Sequence, residues 1–236
     1  MHYFVSDLHL FSDRSDAHRY DDRLKKTVRD AKTFVLGGDI FDFDWTTLPS
    51  VDHTVDAAMD WLGELLSENN DCQFHYLLGN HDCHLPFVNR LQQLSTEVDN
   101  LKWDPFYIRL GNSLMMHGDV DNKSANNQSI EKSRTVRMNA TKRHALQHRL
   151  YDLAIKTRLH KVIGHVANPK KRVASRILGY LENEGQGVES GLENVYFGHT
   201  HVVMREYQYQ GIHFHNGGAP MPGLKFRIME MDIDGC

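Results

Sequence analysis

The chain has 236 residues, 40% hydrophobic and 25% charged, which is long enough for one domain with a full core. Its net charge is −4 and its mean hydropathy is negative, and no apolar run reaches the length of a bilayer-spanning helix, which excludes a helical membrane protein. Cys72, Cys83 and Cys236 are odd in number and irregularly spaced, which excludes a disulfide framework and suits free thiols in a reducing compartment. The first strand-like residues follow Met1 directly and leave no room for a secretory leader, so the expected location is cytoplasmic, with peripheral contact at an inner membrane as an option.

In chain order, Tyr3 to Ser6, Thr33 to Leu36 and Phe74 to Leu78 are short apolar or β-branched runs that predict buried strands. Between the second and third, Val55, Met59, Leu62, Leu65 and Leu66 recur at helical spacing. Pro86 suits a first helical turn ahead of Val88, Leu91 and Leu94. Later runs predict further strands at Phe106 to Leu110, Leu114 to Met116, Val195 to Phe197, Val203 to Tyr209 and Phe226 to Ile233. Their Gly-rich joints suggest a second sheet built largely of hairpins. The expected fold is α/β: two sheets packed face to face between helices, with functional residues at the carboxyl ends of strands.

Five blocks punctuate this pattern: Asp7-Leu8-His9, Gly37-Gly38-Asp39, Gly79-Asn80-His81-Asp82, His117-Gly118-Asp119 and Gly198-His199-Thr200-His201. Singly, each reads equally well as a polar turn at a strand end. Together they bring oxygen and imidazole donors, without thiolates, to one end of a sheet. Such a set suits paired Mn, Fe, Zn or Co and not a Cys-rich structural zinc site. Cys83 beside the third block reads as a small packing residue, and His215 as a strand-end histidine. Trp45 is either a site-lining or a buried loop aromatic.

The ordered set resembles the signature of the calcineurin-like metallophosphoesterases. The resemblance implies a four-layer αββα sandwich of two mixed sheets and two divalent metal ions, most readily Mn. By block, Asp7, His9 and His201 would hold one metal and Asn80, His117 and His199 the other, with Asp39 bridging. His81 would contact the scissile phosphate or leaving group, beside the substrate-facing Asn80, with Asp82 as its orienting partner.

Residues 122–185 carry 14 Lys and Arg against 4 Asp and Glu, whereas the rest of the chain holds 13 basic and 27 acidic residues. A solvated basic face is the plain reading, but an asymmetry of this size favours an interaction role. Leu146, Leu150, Leu153 and Ala154, then Ile155, Leu159, Val162 and Ile163, recur at helical spacing. Asn168-Pro169 breaks the run, and Val173, Ile177, Leu178 and Leu181 resume it. The segment therefore predicts a basic helical cap within a single domain spanning 1–236, with Lys171 and Arg172 as candidate substrate-binding cations.

Within the superfamily the chain is most similar to the UDP-2,3-diacylglucosamine hydrolases of lipid A synthesis. The likeness rests on Asp7-Leu8-His9-Leu10, on Gly38-Asp39-Ile40-Phe41-Asp42 followed by Trp45, and on the basic cap. It implies cleavage of the pyrophosphate of a nucleotide-linked lipid to UMP and a sugar-lipid phosphate. The chain differs in carrying His81 where that group has Arg, and Val202-Val203 after the last block. Three functions follow: a diester or pyrophosphate hydrolase, a phosphomonoesterase or protein phosphatase on the same core, or a scaffold whose cap grips nucleic acid or an anionic membrane.

Overall fold

The computed structural model describes residues 1–121, 126–139, 142–143 and 168–233. In the first sheet β1 (His2–Val5), β2 (Thr33–Gly37), β3 (Gln73–Leu77) and β4 (Leu101–Asp104) lie side by side and parallel. The two-residue strand β10 (Met229–Glu230) closes the other edge, antiparallel to β1. The second sheet runs in the spatial order β5 (Tyr107–Leu110), β6 (Ser113–Met116), β7 (Asn194–Phe197), β9 (Ile212–Asn216) and β8 (Met204–Tyr209).

Side-chain alternation along these strands builds the layers. Phe4, Val35 and Leu77 face inward and meet Met115 and Tyr196 of the second sheet. Val5, Phe34, Leu36, Phe74 and Tyr76 point the other way, into a core shared with α1 (Asp21–Arg29), α2 (Val51–Ser67) and α3 (Leu85–Glu97). Leu114, Met116, Val195 and Phe197 pack outward on α4 (Asn127–Met138) and α5 (Lys170–Asn183). The result is the expected four-layer arrangement of two mixed sheets between helices.

Local sequence explains the helix starts. Ser50 caps α2, its hydroxyl accepting from the His53 N–H at 3.2 Å, and Asn126 caps α4 by accepting from the Ser129 N–H at 3.1 Å. Pro86 sits in the first turn of α3, where its missing N–H costs nothing.

The second sheet departs from the hairpin expectation. Only β5–β6 and β8–β9 are antiparallel, while β6–β7 and β7–β9 pair in parallel. Parallel neighbours need a crossover, and the chain between β6 and β7 supplies it with α4 and α5. The run Phe226 to Ile233 forms only β10 and joins the first sheet instead. Of the expected cap, Val173, Ile177, Leu178 and Leu181 are buried in α5 against the second sheet and belong to the outer helix layer. The apolar repeat from Leu146 to Ile163 lies outside the described residues.

Candidate metal centre

The loops leaving β1 and β2 stay zipped together beyond the strands. The Asp7, His9 and Leu10 N–H groups donate to the carbonyls of Gly38, Asp39 and Ile40 at 3.0, 3.0 and 2.8 Å. On the facing sheet the Gly198 N–H donates to the His117 carbonyl at 2.8 Å. Carboxylates and imidazoles from both sheets thus converge on one crevice at the strand carboxyl ends. Asp7, His9, Asp39, His199 and His201 all adopt left-handed backbone, with φ between 47 and 63°. Non-glycine residues adopt it rarely, and such strain concentrates where a site over-determines the chain.

Two glycines make room for the carboxylates. A Cβ on Gly79 would stand 2.2 Å from Asp39 Oδ1, and one on Gly198 would stand 2.2 Å from Asp7 Oδ2. Neither position tolerates a side chain while the carboxylate keeps its place.

Two donor clusters result. In the first, Asp7 Oδ1 lies 3.4 Å from His201 Nε2, which lies 3.3 Å from His9 Nε2. In the second, His117 Nε2 lies 3.3 Å from Asn80 Oδ1 and 3.4 Å from Asp39 Oδ2, and the His117 and His199 rings are 5.3 Å apart. Asp7–His9–His201 and Asp39–His117–His199 each gather tightly enough to hold one cation. Asp39 Oδ2 also stands 4.0 Å from His9 Nε2, so one carboxylate reaches both clusters. His117 Nδ1 faces the Gly37 carbonyl at 3.1 Å, which fixes the proton there and turns the Nε2 lone pair inward. Without cations, burial opposes charge on His117, but Asp39 beside it prevails and raises its pKa to about 10. Burial, with the charge of Arg14, drives His9 down to about 4.

A model of the calcineurin-like phosphoesterase family matches residues 3–203. The chain is a calcineurin-like phosphoesterase. A search of curated proteins found no match. The family makes the chain a metal-dependent phosphoester hydrolase, a family that generally binds two divalent metals and takes small-molecule phosphoesters. The donor set of this phosphoesterase fits such ions, since it is all oxygen and imidazole, with Asp7, His9, Asp39 and His117 buried and held by second contacts and His199 open to solvent.

His81 sits at the rim of the crevice, but its orienting partner is not Asp82. The Asp82 carboxylate is fully buried and accepts from the Ile40 N–H at 2.9 Å, the Gly79 N–H at 2.6 Å and the Tyr76 hydroxyl at 2.7 Å, which ties the ends of β2 and β3 together. Asp42 takes the expected role, with Oδ1 3.1 Å from His81 Nδ1 and Oδ2 3.4 Å from His9 Nδ1. Arg14 pairs with Asp42 Oδ2 and lies 3.1 Å from His81 Nδ1, while Arg137 on α4 reaches His81 Nε2 at 3.3 Å. His9, Asp42 and His81 also form a cation-sized cluster, but the Arg14 guanidinium already neutralises that carboxylate.

Lys171 and Arg172 are exposed on the first turn of α5, and none of their described contacts reaches the crevice. Cys83 is buried, with its Sγ toward the carbonyls of Asn80 and Arg134 at 3.6 and 3.8 Å, and burial pushes the thiol up to about 12. His215 stacks on Tyr196 at 4.5 Å and pairs with Asn194, as a strand histidine does. Asp42, in the Gly38-Asp39-Ile40-Phe41-Asp42 run, carried a readable signal, whereas Arg14 and Arg137 carried none, because no spacing links them to the blocks.

Proposed function

We propose that the phosphoesterase is a dinuclear hydrolase of phosphodiesters or pyrophosphates. The supporting observation is the position of Asp39 Oδ2, 4.0 Å from His9 and 3.4 Å from His117, where it can bridge two ions. Asp7, His9 and His201 would hold one ion and Asn80, His117 and His199 the other. Bound metals, Mn first among the candidates, supply Lewis acidity and a water of lowered pKa. Asn80 contributes a neutral oxygen and so limits the negative charge facing an anionic substrate. Asp42 holds the His81 ring through Nδ1, and a protonated Nε2, which meets Arg137 at 3.3 Å in this structure, could donate to the leaving oxygen once substrate takes that place.

The leading substrate is a UDP-diacylglucosamine-like nucleotide-linked lipid. What supports it is the Asp7-Leu8-His9-Leu10 block, the run from Gly38 to Asp42 with Trp45 beyond it, and the basic segment between the fourth and fifth blocks. His81, the residue usual across the wider superfamily, favours a phosphomonoesterase as the second reading. The test is hydrolysis of bis(p-nitrophenyl) phosphate and p-nitrophenyl phosphate by metal-stripped protein, before and after Mn is restored. Metal-dependent cleavage of the diester is expected. Cleavage of the monoester alone would replace the proposal with the second reading.

A further inference from the structure

The rim of the crevice carries two cations that hydrolysis of a single phosphate does not require. Arg134 of α4 is buried, and its Nε and Nη2 donate to the two oxygens of Asp119 at 2.7 and 2.6 Å, with Nη1 on the Pro105 carbonyl at 2.5 Å. The Met138 carbonyl at the end of α4 meets His84 Nδ1 at 2.8 Å. These contacts dock α4 on the strand ends that carry His117 and His81. Arg137 follows Arg134 by three positions, so it rises on a fixed mount beside His81.

Arg143 arrives from beyond the helix. Its N–H donates to the Asp44 carbonyl at 3.0 Å, and its guanidinium lies 5.9 Å from the Trp45 ring centre, which Arg14 approaches at 5.7 Å. Arg137 and Arg143 share Asp44 Oδ2 at 3.5 and 3.7 Å. That oxygen is buried and accepts no hydrogen bond among the described residues. Two guanidiniums on one carboxylate leave one positive charge in surplus. Both side chains are partly open to solvent, 36% and 43% exposed, whereas Arg14 is 7% exposed and neutralised by Asp42. Arg137 carries this surplus to the side of His81, and Arg143 joins it through Asp44.

We infer that Arg137 and Arg143 form a subsite for a second phosphate, next to the one cleaved, and that the enzyme prefers diphosphate esters to isolated phosphodiesters. Planar guanidiniums match phosphate oxygens in pairs, and an anion there would complete the contacts that Asp44 leaves long. The inference rests on the proposed metal centre, since one substrate would span both.

Two uridine esters test it, diuridine 5′,5′-diphosphate and uridine 5′-(p-nitrophenyl) phosphate, each with Mn-loaded protein. The wild type should favour the diphosphate. Arg137→Ala and Arg143→Ala should lower kcat/KM on it by at least about tenfold more than on the single phosphate, as charge-assisted contacts do. Arg137→Lys should restore part of the difference, which a packing role would not allow. Equal losses on both esters, or no wild-type preference, would overturn the subsite. Calorimetry of inorganic diphosphate binding to metal-stripped protein judges the subsite apart from turnover. Weakening of about tenfold in either alanine variant supports it. Unchanged affinity, or no binding by the wild type, overturns it. Cleavage of neither ester by Mn-loaded wild type would instead remove the proposed hydrolase reading and leave the binding result to decide the subsite.

Discussion

Asp42 contacts His9, His81 and Arg14 with one carboxylate, so its replacement acts on a proposed ligand, a proposed acid and a buried cation together. Asp42→Asn should weaken Mn binding by about 10–100-fold, as loss of an orienting partner does. It should also cut turnover at saturating Mn by about 100-fold or more, through the loose His81 ring. Metal titration followed by kinetics at saturation separates the two, and unchanged values would return Asp42 to a structural role. The ligand types were legible because their chemistry lies in the blocks themselves. The orienting pair was not, because the separation of 39 positions from Asp42 to His81 closes only through the sheet. His75 offers a pH test away from the metals. Burial, then the charge of Lys102, lowers its pKa to about 4. The unfolded chain binds this proton near the ordinary value of about 6.5, so stability is full above that pH and falls as pH drops toward 4. Urea midpoints across this window should decline with acid, and the decline should be shallower in His75→Gln.

Among the elements, α4 has the most to explain. Its buried faces hold only Ile130 and Arg134, too few apolar positions for a periodicity search to find. The same reason hides α1, whose Asp-Asp-Arg-Leu-Lys-Lys-Thr-Val-Arg buries just Leu24 and Val28, and β4, with a single fully buried residue, Leu101. By contrast α2 buries six side chains in seventeen residues and could be read directly. What holds α4 is a bidentate ion pair, and breaking one partner of a buried pair costs about 3–5 kcal/mol because the other charge is stranded. Arg134→Met should therefore destabilise the protein by about that much in urea, and Arg134→Met with Asp119→Leu by clearly less. Equal losses in the single and double variants would mean that the pair contributes through something other than charge.

At the scale of the molecule, the layer order followed from alternating strands and helices, but the pairing did not. Whether β6 and β7 run parallel depends on the crossover between them, which strand residues do not encode. The charge asymmetry of residues 122–185 was equally visible in the sequence, yet it did not say which cations face the crevice. Lys171 and Arg172 stand on the outer layer, while Arg137 stands at the rim. A Lys171→Ala, Arg172→Ala double variant should therefore raise KM for a diphosphate ester by less than Arg137→Ala alone. A larger effect from the double variant would put the α5 cations back in the substrate path.

The left-handed backbone of Asp7, His9, Asp39, His199 and His201 has a thermodynamic corollary. Each such residue costs about 1–3 kcal/mol that the fold must supply from elsewhere. Ions that bind only this arrangement would return stability in proportion to the logarithm of their free concentration, about 2.7 kcal/mol at a hundred times Kd. Heat resistance then becomes a gauge of cation supply. Stripping the metals should lower Tm by several degrees, and stepwise Mn should raise it without a plateau near Kd. A cell short of the ion would hold a less stable protein as well as a less active one.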